Sequence, residues 1–108
     1  MNDAQFDSVA NAALEAIERA LEASGLDADF ESKDGGVLEI EFADGSKIIV
    51  NRHAAAKEIW VAARSGGFHY RWDGAAWRDT RDGSELFAAL SRLVSTQGGQ
   101  PVRLSPAS

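Results

Sequence analysis

The 108-residue chain contains no cysteine and no uninterrupted apolar run of about 18 residues. The first absence excludes disulfide bonds, thiolate metal sites and a cysteine nucleophile. The second predicts that nothing in the chain spans a membrane. Residues 1–8 also lack the basic start and apolar stretch of a secretory signal. We therefore expect a cytoplasmic protein with no membrane partner. The length of the chain allows one domain, residues 1–108.

Negative charge is concentrated in the first part of the chain. Residues 1–44 hold twelve acidic and two basic residues, a net charge of −10, whereas residues 45–108 hold nine basic and five acidic residues, a net charge of +4. So uneven a distribution indicates one strongly charged face. Because such a face repels phosphate backbones, nucleic acid is not an expected partner. Basic proteins and hard cations suit it better.

The first apolar pattern has a helical period. Apolar residues recur at three- and four-residue steps from Asp3 to Ala23, which predicts an amphipathic helix. Asn2 supplies a capping side chain, and Ser24-Gly25 supplies a stop signal.

A series of carboxylates follows one side of this helix and continues beyond it. At about 100° per residue, the three helical members fall together, away from the apolar centre. We call the whole series the acidic ridge: Glu15, Glu18, Glu22, Asp27, Asp29 and Glu31. Hard cations such as Fe²⁺ and Fe³⁺ accept carboxylate oxygen, and the chain has no His or Cys cluster for an enclosed site. On the residues alone, however, an ordinary solvated acidic face is favoured over a metal site.

Between residues 29 and 80 the apolar period changes to two. Five or six short segments alternate between apolar and polar residues, and glycine-containing turns separate them, which is typical of an antiparallel sheet. A second helix is predicted to begin at the capping-box-like sequence Asp82-Gly83-Ser84-Glu85 and to stop at Gly98-Gly99, leaving a tail over residues 98–108.

The order of the elements predicts an α+β fold. We expect a two-layer α/β sandwich in which two helices pack on one face of a five- to six-stranded antiparallel sheet. The predicted core residues are Leu14, Ile17, Leu38, Ile40, Phe42, Val50, Ile59, Phe87 and Leu90.

Strand alternation also predicts what lies on the other face of the sheet. If Ile59 and Val61 point toward the helices, Trp60 points outward. The same argument turns Asn51, His69 and Arg71 outward. An exposed Trp among such residues is typical of an interface hot spot. The alternative is a strand of the opposite phase, with Trp60 partly covered.

No pattern in the chain indicates catalysis. His53 and His69 are interpreted as surface residues, and the sequence contains no Ser/His/Asp grouping, phosphate-binding loop or HExxH motif. We therefore predict no catalytic residues and no enzymatic activity.

Several sequence pieces together resemble one family. They are MND…F at the start, then GGVL, DGSKIIVNR, EIWVA, SGGFHY, the Trp of AAW, and D-x-R-x-G-x-E-L before the second helix. This set resembles the frataxins, most closely the bacterial CyaY type, over nearly the whole chain. The resemblance implies the α–sheet–α fold, weak and exchangeable iron binding on the acidic ridge, and docking on cysteine desulfurase and the iron–sulfur scaffold complex. It places Asn51 and Trp60 at the desulfurase contact. The chain departs from the family at His53 and Ala54, where frataxins usually carry a Gln-x-Pro-like sequence.

Three functions remain open. The first is an iron-binding regulatory protein of iron–sulfur cluster assembly, which needs both the ridge and the outward sheet face. The second is an iron store or ferroxidase that oligomerises around the metal, which needs only the ridge. The third is a metal-free acidic interaction module. Without metal, we expect a monomer.

Overall fold

A computed structural model describes residues 1–106 of the chain, with one helix, six strands and a second helix in that order. Helix α1 spans Asp3–Ser24, and the strands are β1 Ala28–Lys33, β2 Val37–Phe42, β3 Lys47–His53, β4 Glu58–Ala63, β5 Gly66–Trp72 and β6 Trp77–Asp79, followed by helix α2 Leu86–Gly98. The strands form one antiparallel sheet in the order β1 to β6. The predicted fold class is confirmed.

Helix α1 begins and ends where its sequence signals indicate. The Asn2 side chain accepts a hydrogen bond from the backbone N–H of Gln5 at 2.8 Å, and the Gln5 side chain accepts one from the N–H of Asn2 at 2.9 Å. This reciprocal pair is a capping box. At the other end, Gly25 adopts a left-handed conformation with φ of +73°. A residue without a Cβ takes that conformation without strain.

Helix α2 begins later than predicted. Glu85, not Asp82, is its N-cap: the Glu85 carboxylate accepts from the backbone N–H groups of Phe87 at 2.8 Å and Ala88 at 3.0 Å. The physical reason is that residues 80–82 form a turn that returns Glu85, in an extended conformation, to an isolated antiparallel bridge with Arg78, so the helix begins only after it. Asp82 instead accepts from the N–H of Ser84 and closes a turn.

The core lies between the sheet and the helices. Eight of the nine predicted core residues are buried, and the ninth, Leu14, is half-buried at the margin of the apolar face of α1. Phe6 and Trp77, which the prediction left out, join the core and pack edge to face with ring centroids 6.1 Å apart. Within the described residues neither helix is long and apolar enough to cross a membrane.

The C-terminal segment packs along helix α2. Leu104 is buried, and its backbone N–H donates to the hydroxyl of Ser91 at 2.8 Å, while the N–H of Val102 donates to the hydroxyl of Ser95 at 2.9 Å. The tail starts at residue 99, one residue later than predicted, since Gly98 still belongs to α2. Residues 107 and 108 of that tail lie outside the described residues.

Candidate functional site: the outer face of the sheet and the acidic ridge

The side chains that alternate away from the core form a second surface, which we call the outer face. Strand register sets its layout. One row across β3, β4 and β5 consists of Asn51, Trp60 and His69, which are direct cross-strand partners. Because side chains at successive cross-strand positions are close neighbours, this row forms one continuous strip.

The centre of the outer face is a column of three stacked rings. Trp60 lies between His53, at a centroid distance of 3.7 Å and an interplanar angle of 13°, and His69, at 4.5 Å and 10°. We call these three residues the Trp60 column. Since both faces of the indole are covered, Trp60 is half-buried and presents its edge to the surroundings.

A buried carboxylate holds this column in place. The Trp60 indole Nε1 donates to Glu58 Oε1 at 2.9 Å, and Arg71 Nε donates to Glu58 Oε2 at 2.6 Å. His69 Nδ1 lies 3.5 Å from the same carboxylate, whose side chain is only 7% exposed. Burial acts to raise the pKa of Glu58, but the hydrogen bonds from Trp60 and Arg71 outweigh it, so the pKa lies below the ordinary value of 4.5. Glu58 is therefore ionised at neutral pH and fixes the indole orientation.

The outward strand phase predicted for four residues is confirmed, whereas their partner-binding role stays a prediction. Asn51, Trp60, His69 and Arg71 all lie on the outer face in the predicted strand phase. Trp60, however, is not fully exposed, because the imidazoles cover it. Sequence reasoning missed His53 and Glu58 as members of the site. Their strand positions place both on the same face as Trp60, but no local pattern indicates the stacking or the burial.

The acidic ridge runs along the solvent side of α1 and onto the edge strand β1. Glu15 and Glu22 are exposed and Glu18 is half-buried on the helix, Asp27 is exposed in the connection, and Asp29 and Glu31 are exposed on β1. Throughout residues 1–106, no ridge carboxylate forms an ion pair, although six other acidic residues do: Asp3, Asp7, Glu39, Asp44, Glu58 and Asp73. The ridge thus keeps an uncompensated negative charge.

Strand β2 extends the acidic surface beyond the predicted ridge. Asp29 is directly opposite Glu41, and Glu31 is directly opposite Glu39. Glu39 bonds Lys47 at 2.9 Å and Lys33 at 3.0 Å, and these bonds lower its pKa below the ordinary value of 4.5. Like charges placed directly opposite destabilise a strand pair, and Asp29 and Glu41 form no ion pair, although Lys47, the β3 partner of Glu41, partly offsets the repulsion. The alternation of apolar and polar residues in β2 is enough to predict that the Glu41 side chain points away from the core.

Two shallow hollows follow these carboxylates. One, of about 310 Å³, is lined by Asp27, Asp29 and Glu41, and another, of about 390 Å³, by Asp29, Glu31, Glu39 and Glu41. Carboxylate oxygens suit iron and other hard cations. Within the described part of the chain, however, no three His, Asp or Glu residues are close enough to hold an ion together. A cation here would keep most of its water ligands, and the metal role of the six ridge residues stays a prediction.

Removing the charge of Glu58 should lower stability in a pH-dependent way. A carboxyl group whose pKa is lowered by folding contributes stability above its ordinary pKa and loses it as pH falls through the folded value. Glu58→Gln is therefore expected to lose about 1–2 kcal/mol of unfolding free energy at pH 7, with the difference from the parent shrinking below about pH 4.5. Urea unfolding at pH 7 and pH 4 measures this, and an equal deficit at both values would contradict the charge-based role.

Comparison with known proteins decides the family. The family model described as a frataxin-like domain matches residues 1–100. The chain belongs to the frataxin family. This frataxin is 64% identical over 104 residues to the iron-sulfur cluster assembly protein CyaY of Dechloromonas aromatica, covering 96% of this chain and 99% of the relative. It is 55% identical to the protein of the same name from a Janthinobacterium species, covering 99% of each chain.

Solved structures agree with this assignment. A frataxin from Psychromonas ingrahamii matches with a TM-score of 0.89 and 31% identity, covering 97% of this frataxin and 99% of that chain. A trimeric yeast frataxin, solved in complex with ferrous iron, matches with a TM-score of 0.66 and 22% identity, covering 93% and 88% of the two chains. The second likeness extends to the fold alone.

Proposed function

We propose that this frataxin is an iron-binding regulatory protein of cytoplasmic iron–sulfur cluster assembly that docks on cysteine desulfurase. The observation that carries the proposal is that the acidic ridge, which begins on α1, ends on the sheet face that carries Trp60. Asp29 and Glu31 of the acidic ridge lie on the same face of the same sheet as Trp60. A partner covering the Trp60 column is therefore also within reach of the ridge. The protein acts by binding and needs no catalytic residue.

The ridge supplies the iron-binding part of this function. Its carboxylates are unpaired and mostly exposed, so an iron ion binds to them without displacing a protein cation. The relatives' role in iron–sulfur cluster assembly makes iron the cation of choice. Because the carboxylates do not form a closed cage, binding is weak and the ion exchanges.

The outer face supplies the docking part. The ridge steers a basic partner toward the sheet over long range, and the Trp60 column makes the short-range contact. A rigid aromatic group held by a buried carboxylate is suited to this role, because little side-chain freedom is lost on binding.

Neutralising two ridge residues tests both parts together. Glu18→Gln/Glu22→Gln is expected to weaken Fe²⁺ binding in anaerobic calorimetric titration and to slow association with purified cysteine desulfurase. The control for net charge is Asp3→Asn/Asp34→Asn, which lies off the ridge and also removes the exposed Asp3–Lys57 ion pair. The kinetic difference between the two variants should vanish at about 1 M salt, where the screening length is about 3 Å.

The outcomes separate the three functions. Loss of iron binding with unchanged desulfurase kinetics would support an iron store and contradict the steering role of the ridge. Slower association with unchanged iron binding would support a metal-free interaction module. Equal behaviour of the two double variants would show that the ridge has no special role.

A further inference from the structure

Beside the Trp60 column the outer face drops to a lower row, in which two of the three residues, Ala62 and Gly67, are small. In the row next to Asn51, Trp60 and His69, the direct cross-strand partners are Ile49, Ala62 and Gly67. The step between the rows encloses a hollow of about 300 Å³. We call this hollow the socket. Its wall is the Trp60 edge, which Glu58 and the two imidazoles hold in place, so the socket is already formed in the free protein.

We propose that the socket receives one apolar side chain of the docking partner, of about the size of Leu or Met, from a segment that also places a Lys or Arg over Glu31. This inference rests on the proposed docking function and specifies the chemistry of its partner. The lining is mainly apolar and includes Ile49, Ala62 and Trp60, with Asn51 and His69 as its polar side chains. An apolar side chain filling such a pocket, walled by a fixed aromatic ring, is the usual form of an interface anchor.

Acidic residues at the far end of the row that contains Ala62 indicate that the partner also carries a basic side chain. Continuing from Ala62 through Ile49, the row reaches Glu39 and then Glu31 on the edge strand. Glu39 is already bonded to two lysines, whereas no described residue forms an ion pair with Glu31. Strands lie about 4.8 Å apart, so Glu31 is about 14 Å from the socket. The partner segment therefore carries its apolar and basic side chains about 10–14 Å apart, which two turns of helix or four extended residues provide.

Filling the socket tests the proposal. Ala62 is exposed, so Ala62→Leu adds an apolar side chain over the lower row without entering the core. It is expected to raise the Kd for purified cysteine desulfurase at least about tenfold, because the anchor is excluded, with the melting temperature unchanged. The matched control is Ala88→Leu, the same substitution at an exposed position of α2, which should bind like the parent. Glu31→Gln should weaken binding more than Asp34→Asn, its control away from the row.

The results distinguish this proposal from the one on which it rests. If the parent binds and Ala62→Leu binds equally well or more tightly, the socket is wrong and the docking function stands. If Glu31→Gln and Asp34→Asn behave alike, the basic side chain is wrong. If the parent does not bind the desulfurase at all, the docking function and the socket are both overturned. Weaker binding by Ala62→Leu alone, with Ala88→Leu normal, supports the socket.

Discussion

Replacing Ile40 by Ala is expected to lower the free energy of unfolding by about 2–5 kcal/mol. Ile40 lies at the centre of β2, where Phe30 of β1 and Ile48 of β3 are its direct cross-strand partners. Its side chain is 0% exposed. Truncation removes apolar contacts and leaves a cavity in a close-packed interior. Because a domain of this size is stable by only about 5–15 kcal/mol, the loss should be a large fraction of the total.

The matched control is the same truncation on the opposite face of the same sheet. Ile49 of β3 is half-buried on the outer face, so Ile49→Ala should cost well under half as much as Ile40→Ala. Urea denaturation, fitted with the same dependence of unfolding free energy on urea concentration for both variants, measures the two losses of stability. Equal losses at the two positions would contradict the location of the core between the sheet and the helices.

The fold was predictable because its local signals agree with one another. Apolar residues at Leu38, Ile40 and Phe42 alternate with polar ones, and the register places all three in the core. The start of α2 was not predictable in the same way. The sequence predicts Asp82 as the cap and Glu85 as the acid three residues after it, and the bridge between Arg78 and Glu85 moves the start of the helix to Glu85. Such a bridge is a tertiary contact, which no local pattern specifies.

The candidate site was predictable in orientation but not in detail. Period-two alternation is enough to turn Trp60 outward. His53 and Trp60 are not direct cross-strand partners, because the register pairs His53 with Glu58 and Trp60 with Asn51. Their rings stack diagonally between β3 and β4. The turn between the strands fixes that register, and Lys57 there has a φ of +54°. His53 stands at a position where the chain departs from the usual frataxin sequence, so the family resemblance did not predict the stack either.

Truncating Trp60 should have the largest effect on docking. Trp60→Ala is expected to weaken binding of cysteine desulfurase by about 2 kcal/mol or more, roughly a 30-fold rise in Kd. The substitution removes the wall of the socket and leaves the two imidazoles unsupported. Since the side chain lies on the outer face, outside the core, the domain should remain folded in a thermal melt.

Binding kinetics of Trp60→Ala and a control substitution at Trp72 show whether the loss of affinity arises at the docking face. Contacts made only in the bound complex act mainly on dissociation, so Trp60→Ala should dissociate faster while its association rate and salt dependence stay like those of the parent. Trp72→Ala is the reverse control, because Trp72 packs against Trp77 on the core side of the sheet. It should lower the melting temperature but bind normally below it. If Trp60→Ala binds like the parent, or fails only because it has unfolded, the Trp60 column is structural and the docking face lies elsewhere.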